Sequence, residues 1–362
     1  MVKKKKVAIV IGRYYLTLPI IIGYNDLYDW EISVIDLGFD SIGVSANEFY
    51  QLLPSSISKL KFSNESSLFK HLKNAQYDFV IATNVKHKDI NKARVTGLIS
   101  KLYVIYGAFL KPTSSLVNIE KKTEIVKRTF KNQLKSLVIN LLNSKYYFLS
   151  FKKKFFKIMN NKSELNYSEA YDTIFCWNES ESHYFEGEKQ IFTQHPFHLY
   201  LAKNAEERNF SYNILIAHSG DPAYYTKGYN EFINCIISQF GTICKITIKI
   251  HPLSKYLPKF NGKYEVIKTV LAEDQMKKYD IFINEDSYMA VEMYFNGSYV
   301  INFGEKNNSA SNKDFTHIWS NNDNLLIEQI NFVINSWNEI NKAHVKSLKL
   351  FHTMYECPKE FY

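Results

Sequence analysis

Short, mostly apolar runs rich in β-branched residues recur along this chain, separated by longer stretches in which apolar residues return at helical spacing. In the first half such runs occupy residues 7–11, 31–36, 78–82, 102–106 and 171–177. Each has strand length and β-branched content, and the segments between them are longer and helix-like. A parallel sheet with crossover helices is the expected result. After a polar stretch at 202–211 a second alternation begins. Strands are predicted over 212–217, 244–250, 280–284 and 299–302, with helices over 228–239, 273–278 and 288–295 between them. Terminal helices are predicted over 324–350. The fold class is therefore α/β, with two Rossmann-like domains whose parallel sheets face a central cleft. The expected division is a first domain at 1–201, a linker at 202–211, a second domain at 212–325 and terminal helices at 326–362 that pack back across the domains.

The chain has 362 residues, more than one core usually serves, and 46% are apolar, with 26 Tyr and 26 Phe among them. Its formal charge of +9 is concentrated at residues 3–6 and in an insert at about 121–162. Within that insert leucines, tyrosines and phenylalanines recur at helical spacing among lysines, a basic amphipathic pattern. It suits a helix packed on its own domain and equally a face held against an anionic membrane. The charge alone fits nucleic acid, lipid headgroups or phosphorylated substrates. No RNA-module signature or spaced aromatic platform accompanies it, so nucleic acid is not an expected partner.

Four cysteines, Cys176, Cys235, Cys244 and Cys357, show no CxxC spacing and lie in or near apolar segments. That reads as reduced core cysteine and a cytosolic setting. Residues 3–6 followed by the run at 7–11 resemble the start of a signal peptide, but Gly12-Arg13 cuts the run and no small-residue cleavage site follows. No stretch reaches about eighteen uninterrupted apolar residues, so any membrane contact is expected to be peripheral.

Candidate chemistry gathers where the second-half strands end. In an open parallel sheet, ligands bind just outside the carboxyl ends of strands, where helix N-termini also favour anions. His218, Ser219 and Gly220 follow the strand at 212–217, and a small-residue turn there lets backbone N–H groups approach a phosphate. An ordinary strand-to-helix turn is the plainer account. Lys249, His251 and Pro252 end the next strand, and the proline forces the chain out of the sheet. His251 is then placed to donate a hydrogen bond to a diphosphate oxygen. Glu285, Asp286 and Ser287 open the helix bearing Glu292. Asp286 or Ser287 suits a helix cap, and Glu292 suits either the paired hydroxyls of a ribose or an ordinary surface. His195-Pro196 repeats the pair at what reads as the last strand end of the first domain, and is expected to be structural.

Several patterns are missing from the sequence. There is no Asp-x-Asp, so a transferase holding its diphosphate through a metal is not expected, and neither a metal nor a cofactor is assigned. There is no GxGxxG and no GxxxxGK[ST]. His218-Ser219-Gly220 lacks the glycines of a hydrolase nucleophile elbow, with Ala217 and Asp221 in their places.

A strand ending Lys-x-His-Pro, then a strand ending in an acidic-serine cluster with a following glutamate, resembles bacterial GT-B transferases of envelope polysaccharides. These include CDP-glycerol glycerophosphotransferases and capsule transferases that use CMP-linked acids. The stretch from Asn213 to Asp221, with Gln239-Phe-Gly241, is similar to the second-domain opening of the lipid-linked 4-acetamidofucose transferase. The resemblance covers the C-terminal half. It implies a metal-independent, inverting glycosyltransferase with a nucleotide-sugar donor on the second domain and a glycan or lipid-linked acceptor on the first. With the basic insert, such an acceptor leads to the expectation of a protein held peripherally at the inner face of the cytoplasmic membrane. His251 would contact the donor phosphates, Ser287 would bind phosphate and Glu292 the ribose. Glu285-Asp-Ser-Tyr288 departs from the Asp-Tyr-Ser-Ser-like run of the glycerophosphotransferases, which favours a sugar donor. The alternatives are glycerol or ribitol phosphate transfer on the same fold, or a non-enzymatic export or regulatory protein with a degenerate nucleotide site. An inverting reaction needs a general base from the first half, for which Asp36 and His87 are the candidates.

Overall fold

The computed structural model describes residues 4–38, 46–83, 88–105, 172–176, 190–218, 228–251, 254, 257–269, 271–285, 287–304 and 313–355. Among them, two sheets form, parallel at every pairing. The basic insert expected at about 121–162 lies outside the described residues.

The first sheet contains β1 (Lys6–Val10), β2 (Glu31–Asp36), β3 (Ser58–Lys61), β4 (Phe79–Ala82), β5 (Leu102–Ile105), β6 (Thr173–Cys176) and β7 (Gln190–Phe192), in the order β3-β2-β1-β4-β5-β6-β7. Helices α1 (Tyr14–Leu27), α2 (Ala46–Leu52), α3 (Glu65–Ala75) and α4 (Lys88–Val95) accompany it. The pleat sorts β1 between two cores. Val7, Ile9 and Ile11 pack with Ile20 and Ile21 of α1 and Phe49 of α2, while Ala8 and Val10 pack with Leu68 and Leu72 of α3 and Ile90 of α4. Burying each large aliphatic side chain contributes roughly 1.5–3 kcal/mol, which explains why the central strands are apolar at nearly every position.

The second sheet contains β8 (Asn213–His218), β9 (Lys245–Ile250), β10 (Glu265–Ile267), β11 (Ile281–Asn284), β12 (Tyr299–Phe303) and β13 (Ile318–Ser320), in the order β10-β9-β8-β11-β12-β13. It pairs with α6 (Tyr229–Phe240), α7 (Glu273–Met276) and α8 (Met289–Phe295). Both sheets grow outward from their first strand, then restart on its other flank. The reversal falls between β1 and β4 in one sheet and between β8 and β11 in the other, which is where Rossmann-like sheets bind ligands.

Helix α5 (Pro196–Lys203) joins the two halves. It approaches α1 so closely that a Cβ on Gly23 would lie 2.4 Å from the carbonyl carbon of Pro196, so no side chain fits there. Lys203 pairs with Asp26 of α1 at 2.8 Å. On its other side Phe197 and Leu201 pack with Val291 and Phe295 of α8 and with Leu348 of α9 (Asp323–Met354). Helix α9 bends at Ser336 (φ −120°, ψ 20°): Leu326, Ile330, Val333 and Trp337 cover the second sheet, and the later turns reach α5 and the vicinity of Ile22 in α1.

Two local expectations change. His195 does not end a strand, because β7 stops at Phe192; its Nδ1 accepts from Phe197 N at 3.2 Å and caps α5, with Pro196 in the first turn. Helix α5 also runs through Ala202 and Lys203, so the irregular connection begins at Asn204. That connection is pinned by Arg208, which donates to the carbonyls of Lys277, Tyr279 (2.7 Å) and Gly297 (3.2 Å) and lies over the Trp337 ring. The buried Asp280 carboxylate stands 4.0 Å from the guanidinium and accepts from Ser211 and Asn213.

Candidate functional site

Register brings β9, β8 and β11 to a common level at their carboxyl ends. Ala217 pairs with Lys249, His218 with Ile250, and Ile283 with Ile216. Beyond β9 the main chain crosses back: His251 N donates to His218 O at 3.2 Å, and Ser254 N to His251 O at 2.9 Å. His251 is therefore held at the rim with an exposed side chain. Its pKa is lowered, first by partial desolvation and then by the charge of Lys249, so the ring is neutral at pH 7. A neutral imidazole can donate one hydrogen bond and accept another.

Lys249 is only 9% exposed, and its Nζ donates to Ile250 O at 3.1 Å. Burial lowers its pKa to about 8 against the opposing pull of Glu292. Glu292, half-buried in the first turns of α8, is raised by burial to about 7, with Lys249 pulling the other way. The two sense each other without closing a direct ion pair. His218 is buried, its Nε2 3.0 Å from Asn230 Oδ1 and its ring packed near Tyr229 and Phe260. Burial lowers its pKa as well. Its hydrogen-bonding nitrogen is directed into α6, which makes it a support for the edge.

The turn into α8 is organised by Asn284, which the sequence reading did not single out. Its buried side chain donates from Nδ2 to Ile301 O at 3.1 Å and accepts from Ser287 N at 2.8 Å. Ser287 Oγ accepts from Met289 N at 3.3 Å, fixing the start of the helix. An asparagine three residues ahead of a serine at a strand end was the available signal, since Asn side chains mimic a backbone turn. Glu285 is half-buried just after β11. Ser219, Gly220, Pro252, Asp286 and His87 lie outside the described residues.

Asp36 is placed differently. Fully buried at the end of β2, it accepts from Tyr14 Oη at 2.8 Å, Tyr50 Oη at 2.6 Å and Gly38 N at 2.8 Å. Desolvation and this carboxylate push the Tyr14 phenol up to about 12 and raise that of Tyr50. No local pattern signals these tyrosine partners, one 22 residues before Asp36 and the other 14 after.

The second edge thus offers a buried cation, a neutral imidazole, a carboxylate and a helix start, which together can hold an anion and hydroxyl groups. Among the described residues no group of three or more His, Cys, Asp or Glu comes together as metal ligands. No helix among them is long and apolar enough to cross a membrane.

No protein-family model matches the chain, and no curated protein does. Solved structures do. The putative UDP-N-acetylglucosamine 2-epimerase of Listeria monocytogenes matches 95% of this chain over 91% of its own, at TM-score 0.53 and 11% identity. A protein of Anabaena, HepE, solved in complex with UDP, matches 97% over 95% of its own, at TM-score 0.51 and 9% identity. The UDP-GlcNAc 2-epimerase of Methanocaldococcus jannaschii matches 91% over 92%, at TM-score 0.50 and 12% identity. The likeness spans both halves and establishes the GT-B architecture.

Proposed function

We propose that this chain is a GT-B glycosyltransferase that moves a sugar from a nucleotide-activated donor to a cell-surface glycan or a lipid-linked acceptor. One observation carries the reading: Lys249, His251 and Glu292 meet at the carboxyl edge beside the second sheet's reversal, where topology favours a nucleotide. His251 would donate to the departing diphosphate as charge develops, and the Lys249 cation would offset that charge without a metal. Glu292 would accept from ribose hydroxyls, with the start of α8 beside the phosphates. HepE's complex with UDP supports a nucleotide on this fold.

The acceptor would bind the first domain, with the reaction inverting and water excluded on closure. Of the candidate bases, Asp36 already accepts three hydrogen bonds and would surrender one to take a proton; His87 is the other. The basic stretch at 121–162 would hold the protein against the anionic inner face of the cytoplasmic membrane, close to a lipid-linked acceptor.

The test incubates the protein with UDP-, GDP-, dTDP-, CMP- and CDP-linked sugars and with CDP-glycerol and CDP-ribitol, with membrane-derived acceptors present and absent. We expect acceptor-dependent consumption of one nucleotide sugar, reduced about 10²–10³-fold by His251→Ala. Consumption of CDP-glycerol or CDP-ribitol alone would mean polyol phosphate transfer. Conversion of a nucleotide sugar without acceptor would mean isomerisation, and binding without turnover a non-enzymatic role.

A further inference from the structure

The free site has an unbalanced electrostatic arrangement. Lys249 is buried at the end of β9, yet its one hydrogen-bonded partner among the described residues is a main-chain carbonyl. Among the described residues the opposing charge that acts on it is Glu292 on α8, which attracts it through space without an ion pair. A buried ammonium held by one carbonyl and a remote carboxylate is costly to keep charged. The other ionisable groups at this edge do not relieve it. His251, on the rim, is discouraged from protonating by Lys249, His218 is directed into Asn230, and Lys268, after β10, donates to Ser254 O. Glu285 after β11, Glu231 in the first turn of α6 and Asp323 at the start of α9 are further acidic groups at this end of the described sheet, and Glu292 is the one whose charge acts on Lys249.

We propose that this edge takes up a proton as it binds a nucleoside diphosphate, with Lys249 Nζ receiving most of it. The inference rests on the donor-site reading above and gives that site a pH dependence. In the free protein burial has already brought the lysine to about 8, so it is part-neutral in mildly alkaline solution. A diphosphate supplies the missing negative charge and draws the amine back to its ammonium form. The proton comes from solvent and leaves with the nucleotide. Glu292, raised to about 7, responds in the same direction, because added negative charge disfavours its ionised form as well. The sign is fixed by linkage: a ligand that binds the protonated form loses affinity as pH rises through the free-state pKa.

Titration calorimetry of the full chain with UDP, CDP, GDP and dTDP at pH 8, in phosphate, HEPES and Tris buffers, counts the protons. The buffers differ in ionisation enthalpy, so the slope of measured heat against that quantity is the number taken up. At this pH the terminal phosphate, with a pKa of about 6, is already ionised and contributes almost nothing. We expect uptake of roughly half a proton per site, and affinity falling up to about tenfold per pH unit above pH 8. Lys249→Met is expected to abolish most of the uptake and weaken binding at least tenfold at pH 7. Glu292→Gln should move the pH midpoint of affinity downward, because the carboxylate that supports the lysine's charge is gone. Nucleotide binding with no uptake and pH-independent affinity to pH 9 would overturn the inference and leave the donor site standing. Uptake that survives Lys249→Met would overturn the assignment to Lys249. Failure of all four nucleotides to bind would remove the donor-site reading itself.

Discussion

The two sheets share a topology and use their carboxyl edges in opposite ways. Among the described residues of the first edge, polar groups satisfy one another. Asp36 is closed by two phenols and a backbone amide, and Gly12 N is closed by Thr83 Oγ1 at 2.6 Å, with Thr17 beside it. Among the described residues of the second edge, the imidazole of His251 stands on the rim, Lys249 donates to one carbonyl, and Glu292 closes no ion pair with it. A sheet order therefore marks a place where a ligand can sit. Whether it is equipped to hold one depends on whether the side chains there have already spent their hydrogen bonds on each other. The second edge carries an electrostatic cost in the free protein that a bound anion would offset, as expected of functional rather than stabilising residues.

Acid offers the largest way to break this comparison, because it attacks the joint that both sheets depend on. The rings of His195, which caps α5, and His198, within it, are centred 4.7 Å apart, with His198 stacked on Phe295, and those of His317 and His344 are centred 4.8 Å apart. Burial holds His195 near 3 and His344 near 4, and keeps His198 and His317 well below the ordinary value of 6.5. Their folded pKa values are depressed, so the unfolded chain binds protons that the native protein refuses. Their stability contribution is complete above pH 6.5 and is lost as pH falls toward 3–4. Each histidine can remove up to about 1.4 kcal/mol per pH unit in that window. Urea midpoints should be level between pH 8.5 and 7.5, begin to fall by pH 6.5 and drop steeply by pH 5.5; a level profile through pH 5 would mean that these rings are not held neutral.

A smaller effect comes from opening the first edge. Asp36→Ala leaves Tyr14 Oη buried without its acceptor and frees Tyr50 Oη and Gly38 N, costing roughly 3–4 kcal/mol. Urea unfolding measures this. Nucleotide affinity measured on the folded fraction should stay within about twofold, because the second edge is built by other strands. A parallel loss of affinity would show that the two edges act as one site.

Much of this division was legible from sequence, and what was not has a physical pattern. The buried central strands β1, β2, β4, β5, β8, β9, β11 and β12 were all anticipated within a residue or two, since each carries β-branched apolar residues over a strand's length between longer helix-like stretches. The three that escaped, β3, β10 and β13, are all outermost in their sheets, and Ser58-Lys-Leu-Lys61 is mostly exposed. β3 and β10 carry charge, as edge strands with one partner and a wet flank do, and β10 and β13 are only three residues long, too short to show a run. Helix α5 escaped because its signal, His195 capping a turn that begins with Pro196, sat beside a short strand and read as its end. Lys249, His251 and Glu292 were legible from their positions at strand and helix ends. Their mutual electrostatics were not, since β9 and α8 are brought together only by the order of strands. Tyr14, Tyr50 and Arg208 were invisible for the same reason: their partners lie at sequence distances that no local pattern encodes.

The finest test of the closed edge concerns one hydroxyl at the first sheet's reversal. Thr83 is buried; its Oγ1 donates to Val10 O at 3.0 Å and accepts from Gly12 N at 2.6 Å. With that proton spent on the carbonyl, the 2.9 Å contact to Thr17 Oγ1 is satisfied by the proton of Thr17. Thr83→Val preserves shape but removes the hub, leaving Gly12 N with only the longer 3.3 Å contact to Thr17. The expected cost is about 1–2 kcal/mol, smaller than at Asp36 because every group involved is neutral. Thr83→Ser keeps the hydroxyl and loses one methyl, so it should retain most of the difference. Paired urea curves for the two variants decide the matter. If serine is no better than valine, the methyl rather than the hydroxyl holds this edge, and its closure is a matter of packing instead of hydrogen bonding.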